Sequence, residues 1–354
     1  MTLYIKGTGN VSPQKTVGHP GFLADGVTHT GTRLACVEPD YKTYIDPKLI
    51  RRMSRIIKMG VAAAMDALKE SGVAVPDAIV TGTAYGCLED TGIFLSRMVE
   101  QQEALLAPTA FIQSTHNTVG AQIALMLGCN GYNNVFVHRA FSFESALLDA
   151  MMLVAENDAN TVLVGAVDEI TNYSHSILER IGLYHKDIGS NVNLYEEKIN
   201  GTIAGEGAAF FLLTNEPSTE NYAAIRGVRT FYKPTTSQET ETHIRDFLSS
   251  NNLTAANIDL VVSGRNGNSA ENQVYDEVHA SLFPGNLIVN FKHLCGEYPT
   301  ATAFATWVAA NILKNGVIPG VLNNGVETAL TFRNILIYNH SHNTHHSLIL
   351  LSAC

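Results

Sequence analysis

Apolar residues along the chain fall into two periods, and the alternation between them sets out the elements. Short runs rich in Val, Ile and Leu predict strands at Tyr4–Gly9, Ala78–Thr83, Asn134–Val137, Thr161–Val167 and Ala208–Leu213. Between them, apolar positions spaced three and four apart predict helices at Arg52–Glu70, Asp90–Gln102, Thr118–Leu127 and Ser142–Glu156. The same grammar then recurs. Strands are predicted at Ala223–Thr230, Ile258–Ser263, Asn286–Val289, Ile335–Asn339 and Ser347–Leu351, with helices at Glu239–Ser250, Ala270–Leu282 and Ala301–Leu313. Strands that are apolar on both faces and alternate with helices predict largely parallel sheets covered by helices. The repeated order predicts a duplicated α/β unit, residues 1–215 and 216–354, meeting at Asn215-Glu-Pro-Ser.

Composition narrows the classes. The 354 residues are 45% hydrophobic and only 16% charged, enough for a large core and a surface that a partner subunit would help to cover. A formal charge of -10 argues against nucleic acid, which requires a basic footprint. No apolar run reaches the length of a membrane span, and MTLYIKGTGNVSP carries no signal-peptide pattern. The five cysteines, Cys36, Cys87, Cys129, Cys295 and Cys354, are scattered without metal-type pairing and read as reduced thiols of a cytoplasmic protein. Cys87 is expected to pack at a strand–helix junction, and Asn117 or Thr118 to cap a helix.

Seven segments, in order over nearly the whole chain, resemble the β-ketoacyl synthase family of the thiolase superfamily. They are YIKGTGNVSP near the start, Phe111-Ile-Gln-Ser-Thr-His-Asn-Thr-Val-Gly-Ala-Gln-Ile-Ala, and Gly128-Cys-Asn-Gly-Tyr-Asn-Asn. Val164-Gly-Ala-Val-Asp-Glu, Gly205-Glu-Gly-Ala-Ala, Asn290-Phe-Lys-His-Leu-Cys-Gly-Glu and Asn315-Gly-Val-Ile-Pro complete the set. The resemblance implies a thiolase-like fold, two α/β halves layered α-β-α-β-α.

The family's chemistry is another matter. Its nucleophilic cysteine stands at a helix N-terminus, where the dipole lowers the thiol pKa. The matching tip here reads His138-Arg139-Ala140, and alanine cannot form an acyl-enzyme. Ser142 and Ser145 are read as lying inside the helix rather than at its start, with no histidine base beside them. The family's two histidines correspond to Gly264, or to Arg265 after an offset of one residue, and to Glu297, while the family lysine persists as Lys292. The glycine-rich turn that supports the oxyanion hole becomes His340-Ser-His-Asn, and the acyl-lining loop is shortened between Val228 and His243.

Arg139, Phe141, His340 and His342 are expected to line what remains of the pocket. A buried charge needs a partner, so an Arg139–Glu297 bridge, with Lys292 nearby, is expected over two separately solvated side chains. His340, His342, His345 and His346 invite a metal reading, but no cysteine or carboxylate sits at companion spacing, and a polar turn plugging the old substrate opening is the preferred reading. Cys295, flanked by His293 and Glu297, is the remaining candidate for covalent chemistry, set against an inert buried thiol.

A condensing scaffold without its catalytic set resembles the chain-length-factor subunits that pair with an active ketosynthase, associated with polyketide, aryl-polyene and flexirubin-type products. That resemblance implies no cofactor, a ketosynthase partner or a self-dimer, and contact with an acyl carrier protein. It also implies an interface at Asn134, Val135, Phe136, Val137 and His138. Two alternatives stand beside it: an acyl-thioester transferase or hydrolase using Cys295, and a homodimeric acyl-binding protein.

Overall fold

A computed structural model describes residues 2–18, 21–185, 189–196 and 200–354. Ten strands form the main sheet: β1 (Leu3–Val11), β2 (Ala78–Gly82), β3 (Tyr132–Phe136), β4 (Thr161–Asp168) and β5 (Gly207–Thr214) in the first half of the chain. The second half supplies β6 (Ala223–Tyr232), β7 (Leu260–Ser263), β8 (Leu287–Asn290), β9 (Asn334–Ser341) and β10 (His345–Ser352). The principal helices are α1 (Arg55–Ser71), α2 (Leu88–Glu100), α3 (Thr118–Leu127), α4 (Ser142–Ala155) and α5 (Asn172–Arg180), then α6 (Ser237–Ser250), α7 (Ser269–Leu282) and α8 (Thr302–Asn315).

The strand order is β8-β7-β9-β10-β6-β1-β5-β4-β2-β3. Reading inward from either edge gives the same sequence of pairings: two parallel, then two antiparallel. We propose on this repeat that residues 1–215 and 216–354 are two copies of one unit. Within the sheet the copies are joined where Leu3–Ile5 of β1 pairs with Ala223–Ile225 of β6. The expectation of largely parallel sheets is corrected, since five of the nine pairings are antiparallel. Apolar residues on both faces report helices on both faces, and that says nothing about strand direction.

Three apolar clusters define the layers. One lies outside the first half-sheet under α1 and α3, and another lies outside the second half-sheet under α6 and α7. The largest lies between the half-sheets, where Phe143, Ala146 and Leu147 of α4 meet Ala303, Phe304 and Val308 of α8. Helix α8 is buried from Thr302 through Ile312, which its run of alanines permits. Close approach is built in elsewhere too. A Cβ on Gly9 would stand 2.0 Å from the Ala63 carbonyl oxygen, so β1 can lie against α1 only as glycine. Helices α1, α3 and α8 each stop at a left-handed glycine: Gly72, Gly128 and Gly316. Asn117 precedes α3 but makes no side-chain cap, and Cys87 is buried at the start of α2 as expected.

Candidate functional site

Strand β3 leads into a single 3-10 turn, Arg139–Phe141, that delivers the chain to the first residue of α4. Arg139 takes a positive φ of 50°, an uncommon conformation for a side-chain-bearing residue, and Ala140 is buried directly behind it. Ser142 stands at the helix start, not within it as the sequence reading held. Its hydroxyl accepts from the His138 backbone N–H at 2.8 Å and donates to the Arg139 carbonyl at 2.7 Å. That hydroxyl is committed to building the turn. Ser145 lies 3.5 Å from His138 Nδ1, at the outer limit of a hydrogen bond. Phe141 is buried and packs edge-on against His345, with ring centroids 4.8 Å apart.

The second half contributes a polar chain. After β8, the short helical turn Lys292–Cys295 ends at Gly296, whose φ of 75° swings Glu297 inward. The Glu297 backbone is tied to the first half, its N–H donating to the Ile203 carbonyl and its carbonyl accepting from Gly205. Its carboxylate meets Lys292 Nζ at 2.6 Å, with the ammonium fully buried. Asn266 donates to Glu297 at 3.1 Å and to Glu271 at 2.8 Å. Glu271 in turn lies 2.9 Å from His342 Nδ1. Burial opposes ionisation of Glu271, but the His342 hydrogen bond prevails and holds its carboxyl below the usual range, while Glu271 raises His342.

Arg139 is therefore not the partner of Glu297. Its side chain is exposed, and the Arg139–Glu297 bridge expected from sequence is absent among the described residues. Spacing along the chain could not show that Lys292, five residues before Glu297, folds back through a helical turn to reach it first.

Gly264 follows β7 in a space with no room for a side chain. A Cβ there would stand 2.2 Å from Asn339 Oδ1 and 2.5 Å from the Tyr275 hydroxyl. His340 is fully buried on β9, stacked on Tyr275 at 4.2 Å, with its backbone N–H donating to the Tyr275 hydroxyl at 2.7 Å. Burial, reinforced by His346 and Lys292, keeps its imidazole neutral and its pKa well down. His342 lies beyond the strand in the hairpin turn at positive φ, so the two do not share a strand face. Among the described residues no group of His, Cys, Asp and Glu is arranged to hold a metal ion.

Cys295 is fully buried, and burial pushes its thiol pKa up, away from the thiolate needed for attack. His293 points elsewhere, its Nε2 lying 2.8 Å from the Val321 carbonyl oxygen. The two side chains do not form a nucleophile–base pair.

Sequence reasoning missed Glu144. It is fully buried on α4, one turn beyond Ala140, and neither carboxyl oxygen has a hydrogen-bond partner of good geometry. Burial pushes its carboxyl up to about 7, against the opposing pull of the Ser347 and Thr302 hydroxyls and the Lys292 ammonium. The signal was present as a lone acid in the apolar stretch Phe141-Ser-Phe-Glu-Ser-Ala-Leu-Leu. Asn266 and Glu271 were missed because they read as ordinary turn and first-turn helix residues.

The comparisons with known proteins agree with this scaffold. The profile of the β-ketoacyl synthase N-terminal domain matches residues 30–218. The chain belongs to the β-ketoacyl synthase family. A curated relative, 3-oxoacyl-[acyl-carrier-protein] synthase 2 of Staphylococcus aureus (strain N315), is 22% identical over 204 residues, 53% of this chain. The chain spans 49% of that relative's length. Among solved structures, the ishigamide ketosynthase/chain length factor superposes with a TM-score of 0.83 at 15% identity, covering 100% of this chain and 99% of that one. The ketosynthase ApeO in complex with its chain length factor ApeC, from Xenorhabdus doucetiae, gives 0.76 at 16% identity, covering 99% and 98%. These likenesses establish a thiolase-like synthase fold. Among the described residues no helix is long and apolar enough to cross a membrane.

The sheet edge completes the site's surroundings. Strand β3 is the last strand on its side and pairs only with β2. Beside it, Leu125 on α3 and Val137 just beyond its end are large apolar side chains left exposed, and Tyr132 on the strand itself is exposed as well. A groove of about 470 Å³ between α2 and α5 adds Tyr85, Tyr173 and Ile177 to the exposed apolar residues.

Proposed function

We propose that this chain is a non-catalytic synthase-like subunit that pairs with an active ketosynthase in the making of a polyketide- or polyene-type product. The observation that carries this reading is the steric closure at Gly264. If the family's histidine position falls at Gly264 rather than one residue on at Arg265, Asn339 and Tyr275 occupy the space that a Cβ there would need. Loss of the nucleophile at Ala140 alone would be one codon from reversal. Crowding at Gly264, with Glu297 locked to Lys292, is written into the packing and supports the reading. Solved relatives that are ketosynthase/chain length factor assemblies support a pairing role, and so do the edge strand Tyr132–Phe136 and its apolar surroundings. We assign Asn134, Val135, Phe136, Val137 and His138 to the pairing surface.

Co-expression with ketosynthases of the same genome that carry an intact Cys-His-His set, followed by native mass measurement, tests this. The expected product is a 1:1 complex. A stable self-dimer that ignores every such partner would favour an acyl-binding homodimer instead. Incubation with malonyl- or acyl-loaded carrier protein should leave the chain's mass unchanged, and an acyl adduct on Cys295 would overturn the reading.

A further inference from the structure

Four side chains able to carry positive charge gather where β3 turns into α4. His138 and Arg139 leave the strand exposed, and the hairpin between β9 and β10 brings the half-buried His342 and His345 up beside them. Ring contacts fix the arrangement. Phe141 packs edge-on against His138 at 5.5 Å and against His345 at 4.8 Å, and Tyr232 at the end of β6 packs edge-on against His345 at 5.1 Å. Arg139 is held at a φ of 50° within the turn, its carbonyl accepting from the Ser142 hydroxyl. Its guanidinium makes no ion pair and no hydrogen bond with any described residue. Among the described residues, the carboxylate that pairs with the cluster is Glu271 of α7, on His342. Lys233, exposed just past β6, adds a further positive charge on that side.

The hydrogen bonds of the three imidazoles show what each has left to offer. The Thr344 hydroxyl donates to the Ser341 carbonyl at 2.9 Å, so it accepts from His345 Nδ1, also at 2.9 Å. The ionised Glu271 likewise accepts from His342 Nδ1. His138 turns its Nδ1 toward Ser145. Nε2 of all three rings is left without a described partner, and with Nδ1 already donating, His342 and His345 donate from Nε2 only as imidazolium. In His345 that state is opposed by burial and by the charges of Arg139, His138 and His342, which lower its pKa. An anion between these groups would relieve the repulsion and meet donors that face no competing acceptor. A cation would meet Arg139, and among the described residues no group is arranged to hold a metal ion. Three or four donors outnumber the two oxygens of a carboxylate and suit the three of a phosphate ester.

We propose that this cluster binds a tetrahedral oxyanion of the phosphate type, with Arg139 as the fixed charge and His138, His342 and His345 donating from Nε2. Binding draws a proton from solvent onto His345. The positive end of the 14-residue α4 lies behind the turn and adds to the field. The His138 ring turns back onto α4, against Phe141 and Ser145, so the assignment does not depend on the pairing proposed for the neighbouring strand.

Sulfate is the first probe, because it stays a dianion from pH 6 to pH 8 and leaves the protein as the source of any pH dependence. Calorimetric titration of the purified full chain, at an ionic strength held constant with chloride, should saturate, and the imidazole nitrogen resonances of His138, His342 and His345 should move with it. Affinity should rise roughly threefold or more from pH 8 to pH 6 as the imidazoles charge. Arg139→Gln should weaken sulfate roughly tenfold. His345→Phe, which keeps a ring against Phe141 and Tyr232, should weaken it and reduce the pH dependence, and both variants should retain the parent's circular dichroism. Acetate should bind roughly tenfold more weakly than sulfate. Phenyl phosphate binding more tightly than inorganic phosphate would assign the site to an organic phosphate ester, and the reverse order to the free ion; either supports the site. Absence of saturation, acetate binding as tightly as sulfate, or an unchanged affinity in Arg139→Gln would each overturn it. Zn2+ binding at the same imidazoles, strengthened by Arg139→Gln, would overturn it in favour of a metal site.

Discussion

At the scale of single residues, several buried groups are held in charge states they would not choose in water. Burial raises Glu144 from 4.5 to about 7 and lowers His279 and His346 from 6.5 to about 4. The signs oppose. Glu144 costs stability as pH rises from 4.5 through 7, because the unfolded chain ionises first. The two histidines cost stability as pH falls from 6.5 toward 4, because the unfolded chain binds their protons first. Between pH 4.5 and 6.5 the unfolded state thus holds about one more proton than the folded state on these three groups. Their sum makes stability rise by about 1.4 kcal/mol per pH unit. His340 adds to that slope. His342, raised by Glu271, works the other way, stabilising below pH 6.5 and losing that contribution as pH rises through its folded value. Glu144→Gln should roughly double the three-group slope and stabilise the protein at pH 8 by about 1–3 kcal/mol, less than the full linkage because a buried amide also lacks partners. Urea unfolding at pH 5, 6, 7 and 8 reads both effects, and a variant no more stable than the parent at pH 8 would show that Glu144 ionises freely.

The nucleophile position gives a second prediction at this scale. Ala140→Cys places a thiol at the start of α4, where the dipole favours thiolate. On the proposed reading, with Gly264 and Glu297 unchanged, no group would receive the thioester carbonyl or assist decarboxylation. The variant should show no condensation with malonyl-loaded carrier protein by product mass spectrometry, and measurable ketoacyl product would mean that the missing groups are dispensable.

At the scale of elements, the short turn Lys292–Cys295 and the loop after β7 bring the Lys292–Glu297 pair and the crowded Gly264 together from the second half. Removing one partner of the Lys292–Glu297 pair strands the other charge in a dry interior, at a cost of about 3–5 kcal/mol. Lys292→Met should therefore lower the urea midpoint sharply, and Lys292→Met with Glu297→Leu should recover most of the loss. Equal destabilisation in single and double variants would show that the pair is not the coupling unit. The elements themselves were largely legible in the sequence. Strand and helix positions follow the apolar periods, and the repeat of element order anticipates the mirrored pairing of β1–β5 and β6–β10. Strand direction was not legible, because helices cover both faces of parallel and antiparallel strands alike. Nor was the site's wiring. Lys292, Asn266 and Glu271 reach Glu297 and His342 only because a glycine turn at Gly296 and the start of α7 bring three separate segments together. Glu144 escaped notice for a related reason: an acid on an apolar helix reads as a solvent-facing residue until the second half-sheet is laid over it.

At the scale of the whole molecule, the two edges of the ten-stranded sheet are not equivalent. The β8 edge belongs to the second half, while the β3 edge stands among Leu125, Tyr132 and Val137, exposed and apolar. An uncovered edge strand beside apolar side chains is a template for association, and proteins keep such a surface only when something covers it. The low charged fraction of 16% fits a chain that spends part of its surface on a partner. Expressed alone, the protein should therefore self-associate at micromolar concentration through this edge, with a second copy on the face that the proposed function gives to the partner. Leu125 and Val137 are 76% and 46% exposed, so replacing both by Asp leaves the core untouched and sets like charges facing each other across any contact made there. Sedimentation should show Leu125→Asp/Val137→Asp as a monomer with unchanged circular dichroism, and the same variant should fail to co-purify with a ketosynthase that captures the parent. If the double variant still dimerises, association runs through another surface, and the apolar groove between α2 and α5 becomes the next to charge. If it is monomeric yet still binds the ketosynthase, the two associations use different faces, and the self-dimer is not a stand-in for the heterodimer.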